Sequence, residues 1–135
     1  MALTVVDSGV LIALLDENDP HHPSSKKTLI GLQNTNAALA ISTVSLTEIL
    51  VYPMRQGAKA VRKVFSALDR LSIIFLYITP RVAESAARLR AKNSQLRTPD
   101  ALVIATAQSF GATALLTTDA KLTRLTSRSL KIKSV

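Results

Sequence analysis

The sequence predicts an α/β fold, with a central parallel β-sheet of four to five strands flanked by helices. Two observations carry that reading. Short apolar runs (LTVV, LAI, IIFLYI, TALL and LKI) alternate along the chain with longer amphipathic or Pro-led segments. Strands that alternate with helices pair in parallel, and a sheet covered on both faces shows near-continuous apolar strands. The 135 residues, 47% of them apolar and only 4% aromatic, suit one domain spanning 1–135 with a core of Leu, Ile, Val and Ala.

Leu3 to Val6 reads as a short buried strand, followed at once by Asp7. Ser8 to Leu15 then places Val10, Leu11, Leu14 and Leu15 on one side of a helix. Residues 16–23 (DENDPHHP) are polar and Pro-broken, hence a loop, and a helix from Ser24 to Asn34 leads to a strand near Leu39–Ile41. Ser42 or Thr43 can cap a helix carrying Leu46, Ile49 and Leu50, which should end near Pro53. Ala58 to Leu71 forms a second amphipathic helix, with Val61, Val64, Phe65 and Leu68 expected inward. Ile73–Ile78 is β-branched and aromatic enough for a strand. Thr79-Pro80 opens a helix running to Ser94, and Thr98-Pro99 signals another over Asp100–Phe110, because Pro fits a first helical turn. Gly111 stops it; a strand at Thr113–Leu116, a short helix and a last strand near Leu130–Ile132 follow.

Composition bounds the function. No apolar run approaches the ~20 residues a membrane span needs. The apolar opening lacks a basic leader and contains Asp7, which argues against a signal peptide. The chain has no cysteine, which removes disulfides and thiolate metal sites and suits a cytoplasmic protein. A net charge of +8 favours a polyanionic partner.

Four acids carry the chemistry: Asp7, Glu48, Asp100 and Asp119, each adjoining an apolar stretch (LTVVD, SLTEILV, TPDALVIATA and ATALLTTD). Each has an ordinary role available. Asp7 can cap the first helix, although Ser8 could do so instead, and Asp100 and Asp119 suit first helical turns. Glu48 is harder to place, since no Lys or Arg lies within four residues and apolar residues surround it, so it is expected to be partly buried and unpaired. Carboxylates drawn together repel by about 1 kcal/mol per pair at 4 Å in water and about 4 kcal/mol at an effective dielectric of 20. A hard divalent cation with oxygen ligands reverses that sign. In parallel α/β sheets ligands bind beyond the carboxyl ends of the strands, where Asp7 and Asp119 fall.

The remaining groups read as ordinary. Asp16, Glu17 and Asp19 share a polar loop, Glu84 and Arg88 make a surface pair at i,i+4, and the adjacent His21 and His22 point apart. Basic residues lie on helix faces (Lys59, Arg62, Lys63; Arg81, Arg88, Lys92), and Lys121, Arg124 and Arg128 follow Asp119, the best placed of them to touch a polyanionic partner.

The stretches VVDSGVLIALLDENDPHH, ISTVSLTEIL and LRTPDALVIATAQSFGATALLTTDAKL, in that order, resemble the PIN domain and, within it, the VapC-like ribonuclease toxins of toxin–antitoxin pairs. The resemblance implies a PIN-like parallel α/β fold, often a homodimer, and a Mg²⁺- or Mn²⁺-dependent endoribonuclease. It implies that Asp7, Glu48, Asp100 and Asp119 are the metal-binding and catalytic acids, with Ser8 and Thr118 as supporting hydroxyls. It also implies an RNA substrate cut to 5′-phosphate and 3′-hydroxyl ends, and a VapB-like antitoxin as partner. Gly9 departs from the Asn, Ser or Ala common there, which implies a looser start to the first helix but removes no ligand.

Rival classes fit less well. A catalytically silent RNA-binding or scaffold member of the same fold would not need the full acid set. A phospho-acceptor signalling domain expects paired acids after the first strand and another after a middle strand, yet IIFLYITP ends without one. A haloacid-dehalogenase-like phosphatase expects Asp-x-Asp where this chain has Asp7-Ser8-Gly9.

Overall fold

A computed structural model describes residues 2–135. Five strands, β1 (Leu3–Val6), β2 (Ala38–Ser42), β3 (Ile74–Leu76), β4 (Ala114–Thr117) and β5 (Lys131–Ser134), form one sheet in the order β3-β2-β1-β4-β5. Every neighbouring pair is parallel, with Val6 opposite Leu116 between β1 and β4. This is the predicted parallel α/β architecture. The chain moves outward from β1 to one edge, then returns to the other side of β1 at β4, so the order reverses between these two strands. Such a switch point opens a crevice at the strands' carboxyl ends.

Strand parity divides the core in two. Val5, Ala40 and Leu115 point towards α5 (Pro80–Lys92), α6 (Thr98–Ser109) and a short 3-10 helix (Ala120–Leu125). Val6, Leu39, Ile41 and Leu116 point towards α1 (Ser8–Leu15), α2 (His22–Gln33), α3 (Thr43–Gln56) and α4 (Ala58–Arg70). The two edge strands are short, and Lys131 and Lys133 on β5 face outward, a charged edge that discourages further strand pairing.

Of the two caps the sequence offers for α3, Ser42 is the one used, and Thr79 adds a cap to the helix start read from Pro80. Ser42 accepts the N–H of Val44 at the start of α3, and Thr79 accepts that of Val82 at the start of α5. Four expectations are corrected. The helix α3 does not stop near Pro53 but continues to Gln56. Proline there removes only the bond to the carbonyl four residues back, and the packing of α3 on α4 sustains the last turn. That turn closes when the N–H of Gly57 meets the carbonyl of Pro53, at a φ of 120° and ψ of 178° that glycine tolerates and other residues rarely do. Phe65 is 41% exposed, because the buried seam of α4 runs through Val64 and Leu68 and leaves Phe65 on its flank. The third strand keeps only Ile74–Leu76, as Tyr77 and Ile78 run off the edge towards the Thr79 cap. The helices α2 and α6 begin two residues earlier than expected, each with its Pro inside the first turn.

Leu115 lies in the middle of the sheet with no exposed surface. Leu115→Ala should lower unfolding stability by about 2–5 kcal/mol in chemical denaturation, with little change in the slope of the transition.

Candidate functional site

The crevice between β1 and β4 is where Asp7 sits. Its backbone N–H donates to the carbonyl of Leu116 (2.9 Å), so the sheet ladder itself fixes the residue. Its backbone is extended (φ −75°, ψ 157°), which carries the strand alternation one step further and turns the side chain to the same side as Val5, the face covered by α6. One carboxylate oxygen, Oδ1, accepts the N–H of Ser8 at 2.8 Å and caps α1. The other, Oδ2, accepts the Thr117 hydroxyl at 3.1 Å. Asp7 is therefore the cap, and the alternative in which Ser8 caps in its place is not adopted.

Only 9% of Asp7 is exposed. Burial pushes its carboxyl above the usual range; the two hydrogen bonds pull it back part of the way, and the charges of Asp100 and Glu48 push it up again. Both acids therefore lie close enough to act on Asp7. Asp100 stands in the first turn of α6, its side chain 16% exposed and its Oδ2 3.3 Å from the Arg97 Nε. Glu48 comes from α3, whose Val44 packs on the α6 side of the sheet while Leu46 and Ile49 pack on the other. The helix thus leans across the carboxyl edge of the sheet and brings Glu48 to the crevice. Glu48 is exposed there, not partly buried as its apolar neighbours implied, because those neighbours occupy the opposite side of the helix.

Asp119 reaches the site by a different route. Its side chain caps the 3-10 helix by accepting the N–H of Lys121, and its own N–H donates to Thr117 Oγ1 at 3.0 Å. One hydroxyl thereby links two of the four acids. The sequence reading singled out Ser8 and Thr118; Thr117 was missed. Its signal lay in the register, since pairing Val6 with Leu116 sets Thr117 beside Asp7, and register is invisible until strands are paired. Ser8 contributes its backbone N–H. Thr118 packs over Gly9, where a β-carbon would collide with its hydroxyl, so Gly9 makes room for Thr118 and leaves α1 properly capped.

The donor set consists of carboxylate oxygens, the chemistry that Mg²⁺ and Mn²⁺ prefer. A carboxylate pushed towards protonation by burial first, and then by two neighbouring acids, is the arrangement a cation would relieve. Among the described residues, no three acidic or histidine side chains converge closely enough to chelate one as they stand. A cation here would be held through bridging waters or after Glu48 and Asp100 turn inward. Of the basic residues after Asp119, Lys121 and Arg128 are exposed, and Arg124 donates to Asn93 Oδ1 on the loop between α5 and α6 (3.4 Å). His21 and His22 diverge: the first faces Asp19, while Nδ1 of the second lies 2.8 Å from the Ala13 carbonyl. No described helix is long and apolar enough to cross a membrane.

A groove of about 1060 Å³ runs from Glu48 between α1, α3 and α4. Ile12, Leu15, Ile49, Tyr52 and Val64 line it, with Lys59 and Lys63 along one wall.

Comparison with known proteins agrees with this architecture. The family model of the PIN domain matches residues 4–127. No curated protein matches the sequence. Among solved structures, VapBC2 from Rickettsia felis, bound to a promoter DNA fragment, is 18% identical, with a TM-score of 0.74 over 98% of both chains. VapC20 of Mycobacterium tuberculosis, a sarcin-ricin loop cleaving toxin, is 19% identical, with a TM-score of 0.72 over 95% of this chain and 98% of its own. A toxin–antitoxin complex from Klebsiella pneumoniae is 26% identical, with a TM-score of 0.69 over 90% of this chain and 88% of its own.

The raised pKa of Asp7 has a definite sign for stability. Between the unfolded value near about 4 and the raised folded value, the folded state holds a proton that the unfolded state lacks, so stability falls as pH rises through that window. Asparagine caps as well as aspartate. Asp7→Asn should therefore melt higher than the wild type at pH 7, with the gap closing as the pH approaches about 4. Equal melting temperatures at pH 7 would show that Asp7 carries no burial penalty. Thr117→Val should destabilise by about 1–3 kcal/mol in denaturant titration, since it leaves a buried carboxylate oxygen unpaired.

Proposed function

The chain belongs to the PIN domain family, and from that premise we propose that it is a metal-dependent endoribonuclease, the toxin of a VapBC-type toxin–antitoxin pair, acting in the cytoplasm as a single domain over 1–135. The observation that carries this reading is Asp7: a buried carboxylate at the switch point, its pKa raised by burial and by Asp100 and Glu48. A fold gains nothing from that arrangement unless a cation or a reaction uses it.

The residues that would hold Mg²⁺ or Mn²⁺ are Asp7, Glu48, Asp100 and Asp119. When bound, the ion lowers the pKa of a coordinated water and neutralises charge developing on the phosphate oxygens. Asp7 supplies the rigid element, because Ser8 and Thr117 fix both of its oxygens while each keeps a further lone pair for a ligand. Glu48, exposed and without an ion pair among the described residues, can adjust to orient the attacking water. Attack in line with the leaving oxygen gives a 5′-phosphate and a 3′-hydroxyl. Ser8 and Thr118 support the site from the first turn of α1 and the end of β4. Lys121, Arg124 and Arg128, next to Asp119, would take the flanking RNA phosphates.

A VapB-like antitoxin would occupy the groove that begins at Glu48. Its apolar lining suits the apolar face of a helix, with Lys59 and Lys63 offered to acidic groups of that partner and Asp16, Glu17 and Glu48 to basic ones. An occupant extending to Glu48 would cover the acids. The proposed assembly also includes a homodimer, for which the exposed apolar residues Val51, Tyr52 and Met54 of α3 offer contact surface.

Incubation of total cellular RNA with the protein and Mg²⁺ or Mn²⁺ tests the reading. Wild type should give discrete products that EDTA abolishes. Asp100→Asn should lose more than about a hundredfold of the rate, beyond the usual cost of an outer-shell partner. Wild-type levels of cleavage in that variant would sink the scheme. Absence of cleavage by a folded wild-type protein that binds RNA would favour the catalytically silent module.

A further inference from the structure

We propose that Arg97 is a phosphate-binding residue of this site, held in reserve as the counter-ion of Asp100 and released to the RNA backbone when a divalent cation takes that carboxylate. The proposal rests on the nuclease reading above and adds a residue to it.

The ion pair is lopsided. Arg97 Nε lies 3.3 Å from Asp100 Oδ2, yet the arginine side chain is 76% exposed and the aspartate only 16%. In the Glu84–Arg88 pair, by contrast, both side chains are largely exposed, and it needs no further account. Asp100 is one of the two acids whose charge acts on Asp7, so Arg97 neutralises part of the cluster from its solvent side. Engagement with Arg97 also fits the finding that no three described acids converge to chelate a cation as they stand.

A second arginine fixes where Arg97 can reach. Arg90 Nε donates to the carbonyl of Leu96 at 2.8 Å, and its Nη1 donates to the Thr98 hydroxyl at 2.9 Å. One guanidinium therefore grips the residues on either side of Arg97. Leu96 is buried, and the Arg97 carbonyl accepts the N–H of Ala101 as α6 begins. The same loop is tied at its start, where Asn93 donates to the Leu89 carbonyl and accepts from Arg124. With its backbone held at the start of α6, the Arg97 side chain swings from a fixed root beside Asp100.

With a cation held at Asp100, the Arg97 guanidinium would face a like charge and would be favoured to leave that carboxylate. The nearest new anion is the phosphate that the substrate brings. A planar guanidinium fork matches phosphate oxygens in pairs, and a side chain already three-quarters in solvent gives up little packing to move. Arg124, bonded to Asn93 at the start of the same loop, would be a second guanidinium available to that backbone.

The test combines Mn²⁺ calorimetry with binding of a fluorescein-labelled, mixed-sequence 12-nucleotide RNA, shown intact by gel, across a salt series. Arg97→Gln should bind Mn²⁺ about two- to fivefold more tightly than wild type, because a competing cation is gone. In Mn²⁺, its log affinity against log salt should have a slope smaller by about 0.7, one phosphate contact on a single strand. In EDTA the slope should not change, since Arg97 then rests on Asp100. Arg97→Lys should recover most of the slope, and Arg90→Gln should lose part of it although Arg97 is intact. Arg70→Gln, at the end of α4, should leave Mn²⁺ affinity unchanged. Identical Mn²⁺ affinity and salt slope in wild type and Arg97→Gln would overturn the role of Arg97 alone. Failure of wild type to bind Mn²⁺ at all would remove the nuclease reading and this proposal with it.

Discussion

The molecule is organised around one unfavourable act: burying the carboxylate of Asp7 where β1 ends. The sheet ladder holds its backbone through Leu116, the first turn of α1 takes one oxygen, and the Thr117 hydroxyl takes the other. These partners recover part of the lost hydration, but Asp100 and Glu48 work against them. The elements that meet at the crevice supply groups directed at that charge: α1 the Ser8 N–H, β4 the Thr117 hydroxyl, and α6 and α3 the acids Asp100 and Glu48. The remaining helices keep water from the sheet faces and so keep that charge in a low-dielectric setting.

Thr117 shows how economical the arrangement is. Its hydroxyl donates to Asp7 and accepts the N–H of Asp119, so a single side chain at the end of β4 relates an acid of one strand to an acid of the next loop. The acids differ in mobility as a result. Asp7 is fixed at both oxygens, Asp119 is committed to its cap through one, and Glu48 is exposed and makes no ion pair among the described residues. A site with one rigid anchor and one adjustable arm can accept a cation without rebuilding the sheet.

Much of this was legible before any coordinate. The alternation of strands and helices, a cap at Ser42 or Thr43, the helix start at Thr79-Pro80 and the position of Asp7 follow from local patterns of apolar runs, Pro and hydroxyl residues. The errors came where tertiary context overrides local pattern. Pro53 reads as a stop, but packing on α4 carries α3 past it. Phe65 reads as core, but its helix turns another face inward. Glu48 reads as buried because its neighbours in sequence are apolar, whereas helical geometry sends those neighbours away from it. Thr117 and Arg97 depend on strand register and on a side-chain bond across a helix start, neither of which a linear pattern displays. Gly9 looked like a weakness; with Thr118 in view it is half of a matched pair.

The charge distribution poses the last physical question. A chain of net charge +8 draws polyanions at long range, yet its crevice presents acids that repel a phosphate at close range. These two tendencies do not average out, because the approach is governed by the whole surface and the last few ångströms by the nearest groups. An RNA phosphate can enter only if the acids are neutralised at that moment. Arg97 alone cannot do it: one exposed guanidinium offsets one carboxylate and leaves Asp7 and Glu48 uncompensated. On the proposed reading, a divalent cation held by these acids would supply the missing charge and leave Arg97 free to face the incoming phosphate. On this argument, cation and substrate are not independent ligands of the crevice. Each removes the repulsion that excludes the other, and their binding should be positively coupled.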